Sequence, residues 1–568
     1  MGWGMEKKTI IFFGIIAAIV MGPLSSRWLL PYVVDIVNHV SSIEQAQTAL
    51  REGQFPLRIA PLEGHGWRYP YFQFYSPTSY MIGALLNSFV FMQKTYITFK
   101  FMMWAALTCA GWGFYRLVYW LFDQREIALV SGVAYLFSPY IILCVNHLAA
   151  FNEVLALSLM PLLIWNLLRC YTDPTRIGSW LASSVLWYLL ATIHGITFFD
   201  ATCFVFLLLL FGSVFSFSRW TNLMVAASTW IWGCAMAAWF IVPVSIVKPY
   251  MQFGNALFLI TADFFQPSFA NLVSPSANFT AGFVYKKYVN TMTQLHPALG
   301  IHFIIGAIVC VYACYLGKRE NRTRFDFWFL PTLVLFAFLF FIVWSPINVW
   351  DLLAPLKLNQ YSWRLLGQLI WMAGLLFAFA LYFMFQGKMD MPGVVILVVV
   401  IMLMSSVWQP LIEKNSWLTE QEITQHHKEI TNDMYYISPK VYLHFIKPTP
   451  AEKILTVDEM KKHCHLVTQD TVCEVTVGKD VKRLELPMYF YPGMLDIRIN
   501  HKPASYLASL SGDRLLASVV PEAGQLNHIT ARFVGIQWAN DLSLFAWAVW
   551  LVGVVFWMAG RKTWERAY

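Results

Sequence analysis

Tyr80-Met-Ile-Gly-Ala-Leu-Leu-Asn-Ser-Phe-Val-Phe-Met92 is a run of 13 residues with no charge. Whether it crosses a membrane sets the sidedness of everything after it. If it spans, the basic stretches at 116–126 and 169–176, Arg219 and Lys318-Arg-Glu-Asn-Arg-Thr-Arg324 all share a side with Asp35. That arrangement defeats the cytoplasmic excess of Lys and Arg that orients membrane proteins. A helix of this length rises about 20 Å, against a hydrocarbon core of roughly 30 Å. The run therefore reads as a juxtamembrane helix on the Asp35 side, and Lys94 and Lys100 stay outside with it.

The rest of the chain frames that choice. Of 568 residues, 58% are hydrophobic and only 13% charged, where soluble proteins carry roughly 25% charged residues. Apolar windows fall near 9–24, 97–121, 127–144, 154–170, 179–194, 196–216, 221–246, 299–317, 325–345, 363–386, 391–409 and 541–560. The expected fold is an all-α polytopic membrane protein of about twelve spans. The formal charge of +8 sits mostly in short loops, so it sets orientation and does not point to nucleic acid. Residues 1–9 are a short basic start, and 10–22 run on without a small-residue cleavage site. The first span reads as retained, with both termini cytoplasmic.

Three units follow: a transmembrane module at 1–409, a domain at 410–540 on the outer face, and a last span and tail at 541–568. The module carries outer loops at 25–95 and 247–298. Within the first loop, residues 43–50 form an amphipathic stretch suited to an interfacial helix. The 410–540 segment ends in alternating Val-Thr-Val, Leu-Glu-Leu and Leu-Asp-Ile-Arg-Ile, a small antiparallel β-structure. Cys464 and Cys473 flank a plausible hairpin on the oxidising side and are expected to form a disulfide. His463 and His465 lack a second ligand pair, so no metal is assigned there.

No phosphate-binding glycine loop, H-E-x-x-H or G-x-S-x-G is present, which argues against an ATP-driven pump or a metalloprotease. The spans hold few charges. Asp200 and His194 are the best relay candidates and read as polar packing groups. Polar chemistry gathers instead on one face. In Pro31-Tyr-Val-Val-Asp35-Ile-Val-Asn-His39, Asp35 and His39 share a helical face where the first span, continuing as a helix end, meets water. Arg58, His65, Arg68 and Lys94 lie in or near the following loop. His147 and Glu153 lie at a later turn; Lys248, Lys286, Lys287 and His296 in the long loop; Lys357, Tyr361 and Arg364 before a span. An unpaired Arg364 just inside an apolar helix costs on the order of 3 kcal/mol, so it demands a partner or ligand. A carboxylate with cations at a membrane surface suits transfer from a phosphorylated lipid: the cation holds the departing phosphate and the carboxylate takes a proton.

Several motifs carry a resemblance. They are Asp35-Ile-Val-Asn-His39, Gly53-Gln-Phe-Pro-Leu-Arg58-Ile, Tyr69-Pro-Tyr-Phe-Gln-Phe-Tyr75-Ser-Pro77, Asn152-Glu153-Val-Leu-Ala-Leu-Ser-Leu-Met-Pro161, Gln360-Tyr-Ser-Trp-Arg364-Leu-Leu and Leu486-Pro-Met-Tyr-Phe-Tyr-Pro-Gly493. Together they resemble the GT-C superfamily of membrane glycosyltransferases, and within it the bacterial YfhO-like multispanning group, although Met494 stands where that group usually has Trp.

The resemblance implies a polyprenyl-phosphate sugar donor, here undecaprenyl phosphate, and a cell-envelope glycan, lipid or protein acceptor. The reaction would take place on the periplasmic face of a bacterial inner membrane. It implies Asp35 as catalytic base, with His39 in support and Glu153 as a second acid. Arg364, Lys357, Arg58, Lys94 and Arg68 are the candidate donor-phosphate ligands, and Tyr75, His65, Tyr361 and His296 line the acceptor side. No D-x-D pair occurs in the first loop, so no cofactor is assigned and a divalent metal stays an open alternative. No W-W-D-x-G segment appears, which argues against an oligosaccharyltransferase. Two alternatives to the enzyme remain: a transporter or flippase of a lipid-linked sugar, and a non-catalytic assembly subunit.

Overall fold

The computed structural model describes residues 3–25, 30–31, 35–62, 68–92, 94–216, 220–251, 267–274, 278–279, 295–316, 324–345, 349–359, 361–385, 388–405, 417–418, 453–512 and 514–567. Most of the long loop at 247–298 and the first part of the 410–540 domain lie outside them, as does His65.

The chain is a helical bundle with a β-rich domain near its C-terminal end. Each expected apolar window overlaps a helix or a broken helix pair among the described residues. Among the described residues four helices are long and apolar enough to cross a membrane: Phe151–Thr172, Gly195–Val214, Ser362–Phe385 and Gln537–Gly560. Two bent pairs raise the number to six. Arg125–Leu136 with Pro139–Leu148 bends by 42°, and Trp220–Met236 with Ala238–Val247 bends by 77°. Four shorter apolar helices accompany them.

Local chemistry explains the bends. At the first, Ser138 caps the amide of Ile141 and Pro139 occupies the first helical position, where its missing N–H costs nothing. At the second, the break frees the Ala235 carbonyl and the Trp239 amide. The Ser543 hydroxyl, from the Gln537–Ala567 helix, serves both: it accepts from Trp239 N at 2.9 Å and donates to Ala235 O at 3.2 Å. Glycines let helices close elsewhere. A Cβ on Gly132 would stand 2.6 Å from the Phe13 ring, so that aromatic sits where only a small residue fits.

The first outer loop differs from its sequence reading. The first helix, Trp3–Val20, does not continue to Asp35. Leu30–Pro31 instead pairs as a short antiparallel strand with Trp417–Leu418, and a separate helix, Ile36–Arg51, begins after Asp35. That helix is mostly buried, including Ile43, Ala46 and Gln45 from the stretch read as interfacial. Its second face is covered by the 13-residue helix Pro77–Phe89, where Ile43 fills the space beside Gly83.

Among its described residues the β-rich domain holds two sheets. One has five strands, in the order Lys502–Pro503, Leu495–Ile499, Leu526–Phe533, Asp470–Thr476 and Cys464–Val467; the other has four. Alternating burial along Leu526–Phe533 gives the first sheet one apolar face. Cys464 and Cys473 are opposed on neighbouring strands and joined by a disulfide, so neither thiolate is available to a metal alongside His463 or His465. The domain rests on the first loop through aromatic contacts, Tyr69 with Tyr489 at 6.1 Å and Phe74 with Tyr491 at 5.2 Å.

Candidate active site

Asp35 stands at the N-cap of Ile36–Arg51 (φ −108°, ψ 0°) and takes no capping bond with its side chain. Its carboxylate is therefore left for other work. Its amide donates to the Leu148 carbonyl at 3.1 Å. Leu148 ends a π-helical turn, Leu143–Leu148, an irregularity that helices often carry at functional sites. Half-buried there, Asp35 has its carboxyl pushed up to about 6. Burial is the main cause; the Arg364 guanidinium pulls the value down and the Glu153 charge pushes it up.

Arg364 sits on the 3-10 turn Ser362–Leu365 that opens the Leu366–Phe385 helix. Its Nε lies 3.9 Å from Glu153 Oε2. Its guanidinium carbon stands 5.2 Å from the Tyr361 ring and 5.9 Å from the Trp363 ring, and those two rings stack on one another. Glu153 lies in the first turn of Phe151–Thr172, where the helix dipole favours an anion, and it accepts a bond from the Tyr140 hydroxyl. Tyr75 completes the group. It hydrogen-bonds with Asn152 and Tyr80, and its hydroxyl is held above the usual phenol range by burial first and the Asp35 charge second.

His39 takes a different part. Its Nδ1 lies 2.8 Å from the Tyr80 hydroxyl, which accepts from Asn152 Nδ2 at 2.9 Å; Ser79 donates to Asn152 Oδ1 at 2.6 Å. Burial pushes His39 down to about 3, so the ring is neutral and shares one hydrogen bond with Tyr80, its direction set by the tautomer. It meets Asp35 through the backbone, where His39 N donates to Asp35 O at 3.1 Å. This chain ties the first loop, the Pro77–Phe89 helix and the start of Phe151–Thr172 into one frame around Asp35.

The other expected cations separate. Arg58 bonds Gln73 and donates to Asn540 Oδ1 at 2.7 Å, over the Trp239 ring; burial lowers it to about 10. Arg68 pairs with Glu52 at 2.9 Å and donates to the Thr468 carbonyl of the β-rich domain. Lys94 is exposed at the start of Thr95–Phe122. Lys357 lies on the 3-10 helix Ala354–Asn359 and His296 on the short strand Leu295–His296, but both side chains fall outside the described ones. Asp200 accepts from Asn359 at 2.9 Å, a bond between distant parts of the chain, and His194 meets Thr197 at 2.8 Å within one turn. Tyr140 and Tyr80, which had no sequence signal, are the polar partners that the sequence reading missed. Among the described residues, no three His, Cys, Asp or Glu side chains gather to hold a metal ion.

No protein-family profile and no curated protein matches this chain. Among solved structures it is similar to the Archaeoglobus fulgidus oligosaccharyltransferase in its apo form, with TM-score 0.42 and 12% identity over 79% of this chain and 62% of that one. The same archaeal enzyme, AglB, in complex with an inhibitory peptide and a dolichol-phosphate gives TM-score 0.43 at 12% identity over 81% and 63%. Arabinofuranosyltransferase AftD from Mycobacteria gives 0.42 and 12% over 79% of this chain and 29% of that one. The chain thus spans less than two thirds of the length of each.

Proposed function

We propose that this protein is a GT-C-like glycosyltransferase that moves a sugar from a polyprenyl-phosphate donor to a cell-envelope acceptor, on the periplasmic side of a bacterial inner membrane. The observation that carries the reading is the Asp35 carboxylate, half-buried, free of any capping bond and within electrostatic reach of Arg364 and Glu153. A carboxyl near 6 is ionised at neutral pH yet basic enough to accept a proton in a transition state. The acceptor hydroxyl oxygen attacks the anomeric carbon and gives its proton to Asp35. The bond from that carbon to the phosphate oxygen breaks, and the electron pair leaves with the polyprenyl phosphate. Arg364 stabilises that charge, with the Tyr361 ring, backed by the buried Trp363, beside it. Glu153 holds Arg364 in place, and Tyr75 lines the acceptor side.

The test is turnover of a labelled polyprenyl-phosphate sugar by purified protein in detergent, with no gradient present. Release of polyprenyl phosphate that depends on Asp35 supports the reading. An intact donor, or release that Asp35→Ala does not alter, overturns it in favour of transport or assembly.

A further inference from the structure

The far end of the Phe151–Thr172 helix carries a second polar site, unconnected with the first. Arg169 lies about 24 Å along the helix axis from Glu153 at 1.5 Å per residue. There, a cavity of about 520 Å³ is lined by Arg116, Asn166, Arg169, Arg176, Ser179 and Trp557. Four helices wall it: Thr95–Phe122, Phe151–Thr172, Ile177–Ile193 and Gln537–Ala567.

Its charge is unbalanced. The Arg116 and Arg169 guanidinium carbons lie 4.6 Å and 4.8 Å from the same Trp165 ring, and Arg169 also feels the charge of Arg176. Arg116 is paired with Glu6, and Arg176 with Asp173 at 2.9 Å. Among the described residues Arg169 has no carboxylate partner. Three cations thus line the cavity, whose described lining holds no carboxylate, and the two acids that pair with Arg116 and Arg176 stand outside that lining; the like charges repel, and a bound anion would relieve that repulsion. The helix Ile177–Ile193 begins at the cavity and brings 17 residues of aligned peptide dipole, positive at this end. One flank is apolar. A Cβ on Gly178 would stand 2.8 Å from the Trp557 indole, so the indole lies against the helix start, beside the exposed Ile177.

We propose that this cavity binds a phosphate group, gripped by Arg169 and Arg176 and flanked by Trp557. The chemistry fits the head group of an anionic phospholipid or a soluble phosphate compound. The proposal does not depend on the glycosyl-transfer reading, because its test uses binding alone.

The experiment measures binding of short-chain phosphatidylglycerol, inorganic phosphate and short-chain diacylglycerol to the purified full chain. Native mass spectrometry and the shift in melting temperature supply the readout. Arg169→Gln and Arg176→Gln are each expected to weaken phosphatidylglycerol or phosphate binding about tenfold, the scale of one charge-assisted bond. Binding of phosphatidylglycerol without inorganic phosphate identifies a lipid source, and binding of inorganic phosphate alone identifies a soluble one. Arg176 is exposed, so its variant retains the fold and decides the matter if Arg169→Gln does not. Equal binding by wild type and Arg176→Gln, diacylglycerol binding as well as phosphatidylglycerol, or no binding of either phosphate probe overturns the proposal and leaves these arginines as orienting charges only.

Discussion

Arg68 and Arg364 are both arginines withdrawn from water beside a glutamate, and they serve opposite ends. Arg68 is 1% exposed, donates to Glu52 at 2.9 Å and reaches the Thr468 carbonyl 400 residues away in sequence. Its donors are directed at protein. Arg364 is 19% exposed, its Nε is 3.9 Å from Glu153, and aromatic rings lie at 5.2 Å and 5.9 Å. A short, direct pair fixes two parts of a fold. Under the proposed reaction, a longer pair edged with rings keeps the direction of the charge and lets Arg364 meet a second anion when the donor binds.

That contrast can be broken most severely at the carboxylate which Arg364 serves. Asp35→Asn is expected to lower transfer by roughly 10²–10⁴-fold, the usual contribution of a positioned base, with expression and melting temperature near wild type; single-turnover release of polyprenyl phosphate measures it. Arg364→Ala is expected to cost about 10²–10³ in kcat, like other removed charge stabilisers, and to weaken donor binding more than acceptor binding. Loss of acceptor binding alone would put the phosphate elsewhere. Arg68→Ala should behave in reverse, costing about 1–2 kcal/mol of stability by leaving the half-buried Glu52 carboxylate with the Gln54 amide alone and the Thr468 carbonyl without its donor. Limited proteolysis should then release the 453–533 segment more readily. If Arg68→Ala instead left stability intact and abolished donor binding, the two roles would have to be exchanged.

The mildest probe is pH. With the Asp35 carboxyl near 6, a base that must be ionised is blocked below that value, so transfer should rise as pH climbs through about 6 and then level off. The rising limb should be missing from the residual rate of Asp35→Asn.

What was legible in the sequence follows the physics of each feature. The apolar windows located the helices because burial in lipid or in a bundle imposes a length and a composition, and the alternating strands of the β-rich domain carried their own period. Asp35, Glu153 and Arg364 were legible as charges out of place in apolar company. The roles of Arg58 and Arg68 were not, because a loop arginine reads alike whether it binds a ligand or a carbonyl that arrives hundreds of residues later. The same applies to Asp35 and His39: four residues apart in sequence, they read as one face at a helix end. The chain instead leaves its first helix, pairs Leu30–Pro31 with Trp417–Leu418 and starts afresh. Once Asp35 becomes a cap and not a helical residue, His39 turns to Tyr80.

The Ser543 hydroxyl that closes the 77° break also fixes an order of assembly. Trp239, whose amide it accepts, gives its carbonyl to Gln73 at 3.1 Å, and Gln73 in turn holds Arg58, which reaches Asn540. The first outer loop, the broken helix in mid-chain and the start of the Gln537–Ala567 helix thus form one closed circuit of donors and acceptors. A ribosome delivers the third member of that circuit nearly 500 residues after the first. Until it arrives, the loop that bears Asp35 lacks one of its anchors.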